Sequence, residues 1–157
     1  MDKREAFVKK YAAIYEHSPW IAEAAYDSGD IGTVEKIHAA MKAAVESAGY
    51  TEKITLIRAH PDLACAPATK LTQESVSEQK GAGLDRCTPE EYAEFQKLNA
   101  DYKKKFGFPF IIAVKGLSRQ DILVAFRQRI DNGAEKEFHT ALEQIHKIAR
   151  FRLEAMT

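Results

Sequence analysis

Residues 134–156 read AEKEFHTALEQIHKIARFRLEAM, and this stretch carries the clearest fold signal in the chain. Its apolar residues recur every three or four positions, so a helix places Phe138, Leu142 and Ile145 on one face. At about 100° per residue, the same face also contains Arg152. The stretch therefore predicts a long terminal helix with an arginine inside its buried stripe.

Helix start and stop signals divide the rest of the chain into further helices. Thr88-Pro89-Glu90-Glu91 is a capping box with proline just inside the helix, and Ser118 with Asp121 marks another start. Thr51 is the predicted cap of a helix that runs to His60, and Gly107 ends the helix that begins after Thr88. These signals predict an all-α fold, a single-domain bundle of about seven or eight helices over residues 1–157.

One apolar stretch does not fit the helical pattern. Residues 108–114, FPFIIAV, are non-helical in character and end at Gly116. The stretch is too isolated to form a sheet, so we expect neither helix nor sheet here.

Composition argues against several classes of partner. The chain has 23 basic and 23 acidic residues and a formal net charge of zero, which gives no attraction to nucleic acid or anionic lipid. No apolar run approaches the roughly 20 residues of a membrane span. The charged N-terminal sequence lacks the apolar stretch of a signal peptide, and Cys65 and Cys87 are predicted to be free thiols. These features predict a cytoplasmic protein.

Arg152 breaks the apolar pattern of its helix. A buried guanidinium needs an anionic partner, because arginine does not readily lose its charge. The pattern leaves three alternatives open: Arg152 reaches solvent from the helix end, pairs with a structural carboxylate, or binds an anionic substrate.

Two other polar groups stand out. Ser75, Glu78 and Gln79 have i, i+3, i+4 spacing and share one face of a predicted short helix, which is either a hydrogen-bonding surface or a solvated face. His60 lies at the end of an apolar helix, where Pro61 fixes the following turn. A histidine held there can act as a general acid or base, or simply interact with the helix dipole.

The sequence gives no reason to expect a metal or a phosphate-binding loop. It has no pair of histidines or cysteines at zinc-ligand spacing and no glycine-rich phosphate motif.

Taken together, these segments resemble the signature of the OHCU decarboxylases, whose substrate is 2-oxo-4-hydroxy-4-carboxy-5-ureidoimidazoline. The matching motifs occur in the same order over nearly the whole chain. They are Ser18-Pro19-Trp20, Ala59-His60-Pro61-Asp62-Leu63-Ala64, Ser75-x-x-Glu78-Gln79-x-x-Ala82-Gly83-Leu84, Leu98-Asn99-x-x-Tyr102, Lys105-Phe106-Gly107-Phe108-Pro109-Phe110-Ile111, Ala113-Val114-Lys115-Gly116 and Ile148-Ala149-Arg150-x-Arg152.

The resemblance implies a cofactor-free and metal-free enzyme, usually a homodimer, that converts this small-molecule substrate to S-allantoin and CO2 in urate degradation. It implies His60 and Glu78 as the catalytic residues. The implied substrate-binding residues are Pro61, Ser75, Gln79, Phe110, Ile111 and Arg152. A one-residue slip in the last motif would nominate Arg150, whereas the helical phase favours Arg152. We expect the imidazole, carboxylate and guanidinium to converge on one cavity.

Two other interpretations remain open from the sequence. A non-catalytic helical interaction module would explain the apolar stripes and the caps, but not the arginine in a buried stripe. A decarboxylase acting on a related carboxylated ring would share the same motifs, because fold-level likeness does not fix the substrate.

Overall fold

The computed structural model describes residues 2–63 and 87–156, and these residues confirm the all-α prediction. They form seven helices and no strand. The helices are α1 (Lys3–Tyr11), α2 (Pro19–Ser28), α3 (Val34–Ser47), α4 (Tyr50–Arg58), α5 (Pro89–Phe106), α6 (Arg119–Arg129) and α7 (Ala134–Ala155). The short helix predicted around Ser75 lies outside the described residues.

The capping signals predicted at Thr88, Ser118 and Gly107 are confirmed. The Thr88 hydroxyl accepts a hydrogen bond from the Glu91 amide at 3.1 Å, and the Glu91 carboxylate accepts one from the Thr88 amide at 2.9 Å. Ser118 and Asp121 form the same reciprocal pair at the start of α6. Gly107 ends α5 with a φ of 78°, a left-handed conformation that glycine adopts without steric cost.

The prediction for α4 is wrong at both ends. The helix begins at Tyr50 with Gly49 as its N-cap, so Thr51 lies inside the helix, where its carbonyl accepts from the Thr55 hydroxyl at 2.7 Å. The helix ends at Arg58. Pro61 disfavours helical geometry at the residue before it, and His60 therefore lies beyond the helix.

The chain divides into two compact units. One contains Met1–Ala59 and Ile145–Thr157, and the other contains His60–Gln144, so that α7 contributes to both. The expectation of a single domain over residues 1–157 stays a prediction.

In the first unit, α2 packs against α1 and α3. Most of the buried side chains of this unit are apolar or aromatic. They include Tyr15, Ile21, Met41, Val45 and Ile57.

A buried histidine joins three segments of this first unit. Because the Glu46 carboxylate only accepts, His146 Nε2 donates to it at 3.0 Å, which leaves Nδ1 to accept from the Tyr15 hydroxyl at 2.7 Å. His146 is only 5% exposed, and its burial lowers its pKa despite the opposing effect of Glu46. Burial also raises the pKa of Tyr15.

The lowered pKa of His146 predicts a loss of stability in mild acid. Below its ordinary value of 6.5, the unfolded imidazole takes up a proton that the folded imidazole does not, so the free energy of unfolding falls as the pH falls. We expect His146→Gln to flatten this dependence between about pH 7 and pH 5 in urea denaturation series. His139→Gln, at an exposed site on α7, is the control. An unchanged slope in His146→Gln would contradict the assignment.

The second unit has an aromatic core on which the segment 108–114 lies. The ring of Tyr102 on α5 contacts Phe108, Phe110 and Phe126 edge-on, and Phe110 stacks on Phe126 of α6 with centroids 3.8 Å apart. Such pairs add stability beyond the area that they bury. Residues 108–114 are neither helix nor strand, as predicted.

Two further findings bear on the sequence predictions. The prediction of free thiols is wrong for Cys87, which is disulfide-bonded. Whether two distant sulfurs come within bonding distance depends on the fold, which spacing along the chain does not reveal. None of the described helices is both long and apolar enough to cross a membrane.

Candidate active site

His60 occupies a buried position in the turn after α4. It is 8% exposed, although histidine is often more accessible than this. Pro61 follows it, with its φ fixed by the ring. The position predicted for a catalytic imidazole is therefore shielded from water. The proline that follows limits the conformations of the backbone there.

Two contacts fasten the residues after His60 to α5. The Asn99 side chain donates to the carbonyl oxygen of Leu63 at 2.7 Å, and the Lys103 ammonium contacts the Asp62 carboxylate at 2.6 Å. Leu63 itself is buried. Because both contacts come from one helix, α5 fixes the position of the residues that immediately follow His60.

Phe110 and Ile111 lie in the connection between α5 and α6, and both are buried, at 1% and 3% exposure. The Ile111 carbonyl accepts from Arg129 Nη1 at 2.6 Å, and the Ala113 amide donates to the Gln144 side chain at 2.9 Å. Among the described residues, none accepts a hydrogen bond from the main-chain N–H of Phe110 or Ile111. Buried amides are normally paired, so these two can donate to a bound molecule.

Within this unit, α5 supports both segments. Asn99 and Lys103 hold the turn after His60, and Tyr102 packs its ring against Phe110 with centroids 5.4 Å apart. The motif that begins at Ala59 and the motif that ends at Ile111 are about 40 residues apart in the sequence, and both contact α5.

Arg152 is buried in the other unit, as the helical phase predicts, with 7% exposure. Its Nη2 donates to the Glu16 carboxylate at 2.7 Å, and its Nη1 donates to the carbonyls of Ala13 and Ile14 at 3.2 and 3.3 Å. Arg150, by contrast, is half-buried and contacts exposed glutamates. Arg152 thus has a buried carboxylate partner that orients its guanidinium, and its role in substrate binding stays a prediction.

The backbone around Glu16 explains how its carboxylate is buried. His17 has a φ of 48°, in the left-handed region that non-glycine residues seldom adopt. Its side chain is 64% exposed, whereas that of Glu16 is 1% exposed. The Ser18 hydroxyl donates to the Glu16 carbonyl at 2.8 Å and steadies the turn.

Three predicted site residues, Ser75, Glu78 and Gln79, lie outside the described residues. Their roles stay predictions. So does the convergence of imidazole, carboxylate and guanidinium on one cavity, since His60 and Arg152 belong to different units.

Several residues that support the predicted site cannot be identified from the sequence. Asn99 stands out there only as part of a motif, and no pattern marks Glu16, Arg129 or Glu137. A buried Arg152 signals that some carboxylate must lie nearby, but the chain has 23 acidic residues and the sequence does not say which one.

A comparison with protein families matches residues 2–154 to the model described as OHCU decarboxylase. The chain is 43% identical over 149 residues to the 2-oxo-4-hydroxy-4-carboxy-5-ureidoimidazoline decarboxylase of Haloferax volcanii, covering 95% of this chain and 88% of that protein. It is 41% identical over 141 residues to the uric acid degradation bifunctional protein PucL of Bacillus subtilis, covering 90% of this chain and 28% of that protein.

Two solved structures are similar. A crystal structure of (S)-allantoin synthase matches with a TM-score of 0.80 and 34% identity, over 98% of this chain and 50% of that one. A crystal structure of an OHCU decarboxylase in the presence of (S)-allantoin matches with a TM-score of 0.72 and 25% identity, over 87% of this chain and 89% of that one.

Proposed function

The chain belongs to the OHCU decarboxylase family, and from this premise we propose that it decarboxylates 2-oxo-4-hydroxy-4-carboxy-5-ureidoimidazoline to S-allantoin in urate degradation. The single observation that carries the proposal is the match of residues 2–154, essentially the whole chain, to one family of enzymes. The burial of His60 at the matching motif adds support.

The chemistry of the substrate sets what the protein must supply. One ring carbon bears both the carboxylate and a hydroxyl, next to a C=N bond. When CO2 leaves, its bonding electron pair forms a new ring double bond while the C=N electrons move to nitrogen, which takes up a proton to give the neutral enol. The ring therefore serves as its own electron acceptor, and the protein places the carboxylate, excludes water and moves protons.

We assign the proton transfers to His60. An imidazole titrates near neutral pH, so it can accept the proton of the substrate hydroxyl as CO2 leaves or return a proton afterwards. Glu78 orients this imidazole and the substrate hydroxyl in our proposal. The burial of His60 keeps bulk water away from the transferred proton.

We assign substrate binding to Arg152, Ser75 and Gln79, together with Pro61 and the main chain of Phe110 and Ile111. The planar guanidinium of Arg152, already oriented by Glu16, suits directional hydrogen bonds to the ureido group and the ring. The amides of Phe110 and Ile111, which have no acceptor within residues 2–63 and 87–156, suit the ring oxygen and nitrogen atoms.

An enzyme is useful here because of stereochemistry. After decarboxylation, the enol gains a proton at the ureido-bearing carbon. Free in water, the two faces of a planar enol are equivalent and the product is racemic, whereas a bound enol is protonated on one face.

Circular dichroism of freshly oxidised urate tests the proposal. With the protein, we expect rapid growth of the S-allantoin signal; without it, slow decay of the intermediate to an optically inactive product. A matched reaction containing heat-denatured protein is the control. An optically inactive product at the uncatalysed rate would reject the decarboxylase and favour a helical interaction module.

The homodimer and the cytoplasmic location also remain proposals. The dimer rests on the family resemblance and is tested by sedimentation velocity, where a species of the chain's own mass would contradict it.

The disulfide at Cys87 removes the cysteine argument for a reducing compartment, so cell fractionation has to test the location.

A further inference from the structure

Arg129, at the end of α6, contacts the connection between α5 and α6 in two ways. Its Nη1 donates to the Ile111 carbonyl at 2.6 Å, and its guanidinium lies over the Phe110 ring, 4.3 Å from the ring centroid. The Arg129 side chain is only 11% exposed. A single side chain thus holds both of the neighbouring residues whose main chain we assign to substrate binding.

Glu137 on α7 holds Arg129 in turn. Its carboxylate, fully buried, accepts from Arg129 Nε at 2.9 Å, from the Tyr102 hydroxyl at 2.6 Å and from the Asn132 side chain at 2.9 Å. Three donors on different segments fix the position of this carboxylate. The guanidinium consequently has little freedom to move away from Phe110 and Ile111.

Stability alone is a poor explanation for this arrangement. Replacing a buried ion pair with apolar residues of similar volume is often neutral or stabilising, because the desolvation of two charges offsets their attraction. In addition, Arg129 Nη2 is buried and has no acceptor among the described residues, which further lowers the free energy of unfolding. An apolar contact would hold α6 and α7 together more simply, but would not bind the Ile111 carbonyl.

We propose that Arg129, held by Glu137, is a positioning residue that fixes the main chain at Phe110 and Ile111 so that their amides meet the substrate ring. The assignment rests on the proposed function. The carbonyl of Ile111 and its amide belong to one short stretch of backbone, so fixing the carbonyl restricts the direction of the neighbouring N–H groups. Arg129 acts through this backbone and does not itself touch the substrate.

Steady-state kinetics of Arg129→Lys test the proposal. Lysine keeps the charge next to Glu137 but lacks the planar fork that reaches Glu137 and Ile111 together. We expect KM to rise about 10-fold, the effect of one misplaced hydrogen bond, with kcat close to wild type. Arg127→Lys is the matched control, since Arg127 lies on the same helix in an exposed pair with Glu94, and we expect it to leave KM unchanged.

A second variant and a second measurement cover the case in which Arg129→Lys folds poorly. Asn132→Ala removes one donor from Glu137 and keeps both charges, and we expect KM to rise about 3-fold. In the wild type, (S)-allantoin should shift the amide NMR signals of Phe110 and Ile111, and the shifts should weaken in both variants.

The outcomes separate the two proposals. Variants that lose thermal stability but keep the wild-type KM would give Arg129 a purely structural role and overturn the positioning role alone. A wild-type chain without decarboxylase activity would overturn the proposed function and this inference with it.

Discussion

Replacing His60 with asparagine is expected to lower kcat for decarboxylation by about 10²–10⁴-fold while the protein remains folded. Asparagine fills part of the same space and keeps hydrogen-bonding capacity, but it cannot accept and return a proton near neutral pH. The position is 8% exposed, in a turn that Asn99 and Lys103 anchor to α5, so the backbone should stay in place. Stopped-flow circular dichroism of freshly oxidised urate measures the rate.

The control for His60 is His139→Asn, at an exposed site on α7, which should retain the wild-type rate. Far-ultraviolet circular dichroism establishes that each variant is helical. A folded His60→Asn variant with near-normal turnover would remove this imidazole from the mechanism and leave the proton transfers to another group.

Replacing Arg152 with alanine is expected to have two separate effects. The buried Glu16 carboxylate loses its contact with the guanidinium, and breaking a buried pair in this way typically costs about 3–5 kcal/mol of unfolding free energy. In addition, KM should rise because a directional contact with the substrate is lost. Urea denaturation and steady-state kinetics measure the two effects independently.

Two further variants separate stability from binding at Arg152. Arg152→Lys keeps a charge near Glu16 and should lose less stability, yet its KM should still rise because lysine lacks the planar fork. The double variant Glu16→Gln with Arg152→Met removes both charges and should recover stability without recovering KM. Arg150→Ala, two residues away in exposed pairs with Glu35 and Glu154, should change stability by at most about 1 kcal/mol and leave KM unchanged.

A wild-type KM in both the Arg152→Lys and the double variant would assign Arg152 to structure alone. That result would leave the family assignment intact, because it concerns one residue of a motif that spans residues 148–152. It would transfer the binding of the ureido group to the predicted polar face of Ser75 and Gln79.

Local interactions made most of the helical architecture predictable. The capping boxes at Thr88 and Ser118 join groups only three residues apart, and Gly107 ends a helix through its own backbone freedom. Such effects depend on neighbours in the sequence and on little else. The start of α4 was mispredicted because a threonine one position inside the helix resembles a cap in the sequence.

The sequence alone determined that this chain is helical, which face of the last helix is buried, and that Arg152 lies within that face, because a helix repeats at a fixed angle per residue. Only the tertiary structure decided that Arg152 pairs with Glu16. It also decided that Arg129, held by Glu137, binds the Ile111 carbonyl. The hydrogen bonds of His146 to Tyr15 and Glu46 likewise depend on the packing. These partners lie between 8 and 136 positions apart along the chain. A buried charge requires a partner, but the partner's identity depends on how the helices pack.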